Sequence, residues 1–233
     1  VDFRTKDING LIAQKGYLFR WSRASFCPCL TTETQQPDPD CSLCKGTGWV
    51  YFNPENPKSE TPYITIRGIT TEMTRDPQVY ERFGQWIAGV SKVTVHPDYQ
   101  VSWGDKLEAV ESVMPHTQTV VADGSNKIIS GLAHGNIRFR PTEVQMLRSL
   151  SEIYSPGVDF VINTAEEIEW KIVPPPQDTL LSIHYLYHPI WIVQQHIHVY
   201  RDTTSKQKSV NEVQKRLPIQ AMIKLSFLVE GFK

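Results

Sequence analysis

A chain of 233 residues with 40% hydrophobic and 21% charged side chains has the composition of a folded globular protein, long enough for one large β domain or two small ones. Its net charge of -1 excludes attraction of the whole molecule to nucleic acid and leaves only a local basic patch for such a role. No run approaches the roughly 20 apolar residues that cross a bilayer, and residues 1–15 lack a signal-peptide core, so cytosolic synthesis is expected.

Residues 7–15 place Ile8, Leu11 and Ile12 on one helical face, and Gly16 supplies a stop. Residues 17–25 alternate Tyr17, Phe19 and Trp21 and predict a strand leading into a cysteine cluster. Prolines and polar residues make 53–62 a linker. A strand is predicted over 63–69, then a short helix capped by Asp76-Pro77 and ending near Gly84. Strands follow over 90–95 and 106–114, separated by a Trp103-Gly104-Asp105 turn. Asp123-Gly124 between 117–122 and 127–130 is a hairpin signal. Together these segments predict a small barrel or sandwich.

Thr142 and Gln145 have the spacing of a capping box, and Val144, Leu147, Leu150 and Ile153 recur at helical intervals until Pro156-Gly157, so a helix is expected here. Beyond it, 158–163, 168–173, 180–188, 190–200 and 220–230 read as five strands of one antiparallel sheet. Ile168, Trp170 and Ile172 form one buried face, and Ala221, Ile223, Leu225, Phe227 and Val229 another. Between the last two strands lies a polar segment, 201–218, whose aliphatic residues are only Val210, Val213 and Leu217. It is expected to be an assembly arm rather than a folded hairpin, with Lys206, Lys208, Lys215 and Arg216 suited to an acidic groove on a neighbouring subunit. A solvated loop without a partner is the alternative. The fold expected is mainly β with a few short helices, an α+β chain in three parts. These are an N-terminal helix, strand and knuckle over 1–60, a small β-barrel or sandwich over 61–135, and a helix with a C-terminal antiparallel sheet over 136–233.

All four cysteines fall in one window as Cys27-Pro-Cys29, eleven residues, then Cys41-Ser-Leu-Cys44. Paired, closely spaced thiolates on two turns supply the four tetrahedral ligands of zinc. The following Lys45-Gly46-Thr47-Gly48 fits the second turn, because glycines tolerate positive φ and let amides approach sulfur. Two disulfides or unpaired thiols are the alternative, which a reducing compartment disfavours. Four thiolates leave no open position, so the expected zinc is structural, a staple for the polar loop 31–40.

Other residue sets carry less. His184, His188, His196 and His198 lie within fifteen residues, with His196 and His198 on one strand face, but no third ligand has metal-site spacing. His96, His116 and His134 read as turn residues. Glu166-Glu167 sits in a turn where solvation is the ordinary role. Phe139 between Arg138 and Arg140 suits base stacking or, more simply, packing at a barrel edge. No nucleophile elbow or phosphate-binding loop occurs, and Gly131 to Gly135 lacks the strand and helix that would give it phosphate-binding meaning. No catalytic residue is assigned.

The order Cys-Pro-Cys, the Pro/Asp loop Gln36-Pro37-Asp38-Pro39-Asp40, then Cys-x2-Cys-x-Gly-x-Gly ahead of β modules resembles small structural proteins of tailed bacteriophages. The resemblance covers 27–48, and 185–202 in a second stretch. It implies a non-enzymatic virion component of the neck, made in the host cytoplasm. There, β-rich head-completion or stopper proteins form rings of identical subunits between portal or adaptor and tail proteins. Neither membrane nor sequence-specific nucleic acid is an expected partner. A zinc-knuckle nucleic-acid-binding protein and a metal-dependent enzyme using the histidines are the competing readings.

Overall fold

The computed structural model describes residues 5–30, 36–72, 89–130, 136–198, 202–204, 214–216 and 218–226. It divides into two compact units, one made of 1–111 with 190–233 and the other of 112–189. The second is thus an insertion into the first, and the boundaries expected at 60 and 135 coincide with neither of its ends. Among the described residues no helix is long and apolar enough to cross a membrane.

The first unit opens with α1 (Thr5–Lys15). Ile12 is buried, whereas Leu11, expected on the same face, is exposed. Gly16 ends the helix by donating to the Ile12 carbonyl at 2.9 Å, and a Cβ there would lie 2.4 Å from that oxygen. Strands β1 (Tyr17–Phe26), β2 (Trp49–Phe52), β3 (Ile64–Glu72), β4 (Val90–Val95) and β5 (Lys106–Ala109) follow. After the insertion come β13 (Ile190–His198), β14 (Asp202–Thr204), β15 (Gln214–Arg216) and β16 (Ile219–Leu225).

Six of these strands close into an antiparallel barrel in the order β1-β3-β4-β16-β13-β5, with β5 pairing back onto β1. Closure depends on the length of β1. Its residues 17–21 pair with β3, 19–22 pair with β5, and 23–26 run on to pair with β2. Period-two alternation points Phe19, Trp21, Ile66, Val93, Val95, Leu107, Ala109, Val193, Ala221 and Ile223 into one core. A barrel was expected within 61–135; that stretch supplies three strands, and β1, β13 and β16 supply the rest. The expected strand over 106–114 is divided, because β5 stops at Ala109 and the chain leaves the first unit at Glu111.

In the second unit, β6 (Met114–Val121), β7 (Lys127–Ile128), β8 (Pro141–Arg148), β9 (Ile153–Tyr154), β10 (Phe160–Ile162), β11 (Ile168–Trp170) and β12 (Leu180–Tyr187) form two sheets. One has the order β6-β12-β8-β9 and the other β10-β11-β7. The helix expected from Thr142 onward is instead strand β8, and the reason is a bulge. Val144 lies opposite Tyr185 and Met146 opposite His184, so Gln145 is an extra residue that shifts the pleat. Val144 and Leu147, three apart, therefore both point inward and imitate a helical face. The imitation ends there: Leu150 is 91% and Ile153 70% exposed. Thr142 Oγ1 donates to the Leu186 carbonyl at 3.1 Å instead of capping a helix.

Asp123-Gly124 does turn, with Gly124 at φ 76° and Ser125 N donating to Asp123 Oδ1 at 2.8 Å. It does not make the expected hairpin, since β6 pairs with β12 and β7 with β11. Nor do the five C-terminal strands share a sheet. They are distributed over three sheets: the boundary at Pro189 separates β13 and β16 from the rest, and within the inserted unit β12 pairs with β6 and β8 while β10 and β11 pair with each other and β11 with β7. Ile168 and Trp170 are buried, but Ile172 lies past the end of β11 and is exposed. The helix expected over 77–84 lies outside the described residues.

The segment expected as an unpaired arm is a two-stranded ribbon at its base, with Asp202 opposite Arg216, Thr203 opposite Lys215 and Thr204 opposite Gln214. Antiparallel β13 and β16 are neighbours, so their continuations are delivered side by side. Lys215 and Arg216 are in β15, whereas Lys206 and Lys208 lie outside the described residues.

Candidate metal centre

The four cysteines are carried by the connection between β1 and β2. Phe26 pairs with Trp49 at the last rung, and Cys27 N donates to the Gly48 carbonyl at 2.8 Å, so the ladder itself brings the two halves of the motif together. Leu30 N donates to the Cys27 carbonyl at 3.0 Å and folds Pro28-Cys29 into a tight turn. On the other side Lys45 N donates to the Cys41 carbonyl at 2.8 Å, and Thr47 N and Oγ1 both donate to the Cys44 carbonyl, at 3.1 and 2.7 Å.

Left-handed backbone at Lys45 (φ 52°), Gly46 and Gly48 (both φ 78°) winds this turn around the Cys44 sulfur. The Pro/Asp loop lies against it. A Cβ on Gly46 would come within 3.2 Å of the Pro39 backbone, and one on Gly48 within 3.4 Å of Pro37 Cβ. The association of Pro37 and Pro39 with the two glycines is therefore a packing requirement.

Cys27 Sγ lies 3.8 Å from Cys41 Sγ, Cys29 Sγ lies 3.5 Å from Cys44 Sγ, and all four sulfurs are within 4.8 Å of one another. Metal–sulfur bonds of about 2.3 Å in a tetrahedron require sulfur–sulfur edges of about 3.8 Å, so the set fits a four-coordinate ion. All four thiols are free, and their separations far exceed the roughly 2.05 Å of a disulfide. These four cysteines could bind a metal ion.

Proton affinities within the cluster diverge. Burial acts upward on the Cys44 thiol, but the amides of Gly48 and Gly46 and the neighbouring thiols overcome it and bring its pKa down to about 7. Burial pushes Cys29 up to about 12, against an opposing amide at Asp38. On Cys27 the Cys29 amide acts downward, yet burial together with Cys41 and Cys44 leaves it raised. Cys44 thus gives up its proton most readily while Cys27 and Cys29 hold theirs more tightly, and a cation among the sulfurs would favour the thiolates.

Among the described residues no other group of three or more metal-ligating side chains comes together. The histidines are divided: His184 and His188 belong to the inserted unit, His196 and His198 to the barrel unit. His184 Nδ1 shares a 2.6 Å hydrogen bond with Thr117, His188 Nδ1 meets the Ser112 carbonyl at 3.0 Å, and His196 Nε2 meets the Val101 carbonyl. His96 pairs with Asp98 at 3.1 Å, and His116 packs edge-on against Phe139, Tyr185 and Tyr187. His134 and the Gly131 to Gly135 segment lie outside the described residues. Glu166 and Glu167 meet Arg140 at 3.8 Å and Lys127 at 3.3 Å. Phe139 is buried and stacked on Tyr187 at 4.0 Å, which commits its ring to packing.

Two features beside the knuckle were not anticipated. Asp105 is fully buried, and its carboxylate accepts from Trp21 Nε1 at 2.8 Å, Ala24 N at 2.9 Å and Ser102 N at 2.8 Å. Burial raises its pKa against the pull of those donors. Phe26, Trp49 and Trp103 form a cluster, with Phe26 stacked on Trp49 at 4.7 Å and Trp103 edge-on to Trp49 at 4.8 Å. Phe26 is nevertheless 61% and Trp103 53% exposed. Their positions next to Cys27, Gly48 and the Gly104 turn were the available signal. Comparison with protein-family models and with curated proteins finds no match.

Proposed function

We propose that this chain is a non-enzymatic structural protein of a tailed-phage virion, forming a ring in the neck that joins or closes the head to the tail. In this reading the four cysteines hold one structural zinc. Four soft thiolates at tetrahedral spacing suit zinc, and a shell filled by protein leaves no position for substrate. The observation that carries the reading is the build of the first unit: a closed barrel, four cysteines gathered at the β1–β2 connection, and a two-stranded ribbon leaving between β13 and β16. Barrels remove sheet edges, so the means of association are such ribbons and loops. Repeated copies joined head to tail close a ring. Partners are the chain itself and the portal or adaptor and tail proteins on either side.

Electron microscopy of the purified protein, alone and with portal complexes, tests this directly. Rings are the expected result, with zinc near one equivalent per chain by metal analysis. A protein that stays monomeric with portal present and binds DNA in a salt-dependent way would replace this reading with nucleic-acid binding.

A further inference from the structure

Beyond the β1–β2 ladder, one side chain carries the knuckle onto the 102–105 turn. Trp49 follows Gly48, whose amide is directed at the Cys44 sulfur, and begins β2. Its ring lies over Gly104 so closely that a Cβ there would sit 2.8 Å from both Cη2 and Cζ3. Gly104 has φ 84°, so both its backbone and its missing side chain are needed for the contact.

The turn beneath the ring joins two barrel strands. Gly104 N donates to the Val193 carbonyl at 2.9 Å, and Val193 N donates to the Asp105 carbonyl at 2.9 Å, which binds the turn to β13. The Asp105 carboxylate binds the same turn to β1 through Trp21 and Ala24. Contacts therefore run without a gap from Cys44 through Gly48 and Trp49 to Gly104 and the β1 and β13 backbones.

We infer that Trp49 is a latch through which metal occupancy of the knuckle sets the order of the 102–105 turn and of the exposed aromatic rim built from Phe26 and Trp103. With metal bound, the Cys41–Gly48 turn is fixed and Trp49 is seated. Without it, the Cys44 sulfur is no longer held in place against the Gly48 amide, the ring leaves Gly104, and the turn opens while the rest of the barrel core persists. The inference rests on metal binding by the four cysteines and goes beyond it, because a staple confined to its own loop would leave 102–105 unaffected.

Hydrogen exchange on the full chain, read together with metal content, separates these cases. Chelation should raise exchange at the Gly104 and Asp105 amides by about tenfold or more and leave β16 and β12 amides unchanged. W49A should keep its bound metal and show the same rise without chelation. Metal present in the unmodified chain, with Gly104 and Asp105 equally protected before and after its removal, overturns the latch alone. Protection in W49A equal to that of the unmodified chain does the same. An unmodified chain that takes up no zinc overturns the metal reading and the coupling with it.

Discussion

Replacing Asp105 by alanine should destabilise the barrel unit by about 3 to 4 kcal/mol, most of it through groups left without partners. Three donors converge on this carboxylate. Trp21 Nε1 is buried, so stranding it costs about 2 kcal/mol; Ala24 N is half-buried and loses about 1 kcal/mol; Ser102 is exposed, and water replaces its acceptor. A cavity beneath the turn adds the remainder. D105N keeps the volume and one acceptor oxygen, so its amide group meets one N–H unfavourably, a loss of about 1 to 2 kcal/mol. Burial raises the Asp105 pKa, so the folded state holds its proton to higher pH than the unfolded chain. The contribution of this group accordingly falls as pH rises from about 4 through the folded-state value, and D105N lacks that decline. Denaturant unfolding at several pH values, followed by tryptophan fluorescence, measures both effects. D105A within 1 kcal/mol of the parent, or an unchanged pH profile in D105N, would refute the reasoning.

Further outcomes follow from the same structure. C44S should abolish uptake of the proposed zinc and raise exchange across 27–48 and 102–105 while the inserted unit keeps its protection, as hydrogen exchange would report; collapse of protection at β12 would refute this separation. Leu147→Ala should destabilise by about 2 to 5 kcal/mol, whereas Leu150→Asp should stay within about 0.5 kcal/mol, since one side chain is buried and the other exposed. Equal sensitivity of the two in thermal unfolding would favour a helix over the bulged strand. Deleting 205–213 should leave thermal stability nearly unchanged and abolish incorporation into rings or particles; normal assembly would place the ring contacts on the β faces.

The sequence by itself determined what depends on local chemistry. Strands whose residues alternate cleanly, such as Phe19 and Trp21 or Ala221 and Ile223, were legible because one buried face imposes period two on any half-buried strand. Gly16 marked the end of α1 because no other residue avoids the Ile12 carbonyl. The four-cysteine cluster was legible because thiols so close in the chain need only two turns to meet. Tertiary structure decided which strands pair and where the units divide. Pairing is non-local: β1 closes on β5, and β13 meets β5 from the far side of a whole inserted unit, with nothing in any one segment to name its partner. The same cause hid the bulge at Gln145, since a residue is extra only relative to the strand opposite. It hid Asp105 as well, a turn residue by sequence, whose donors lie as far as 84 positions away on β1 and whose burial follows from barrel closure.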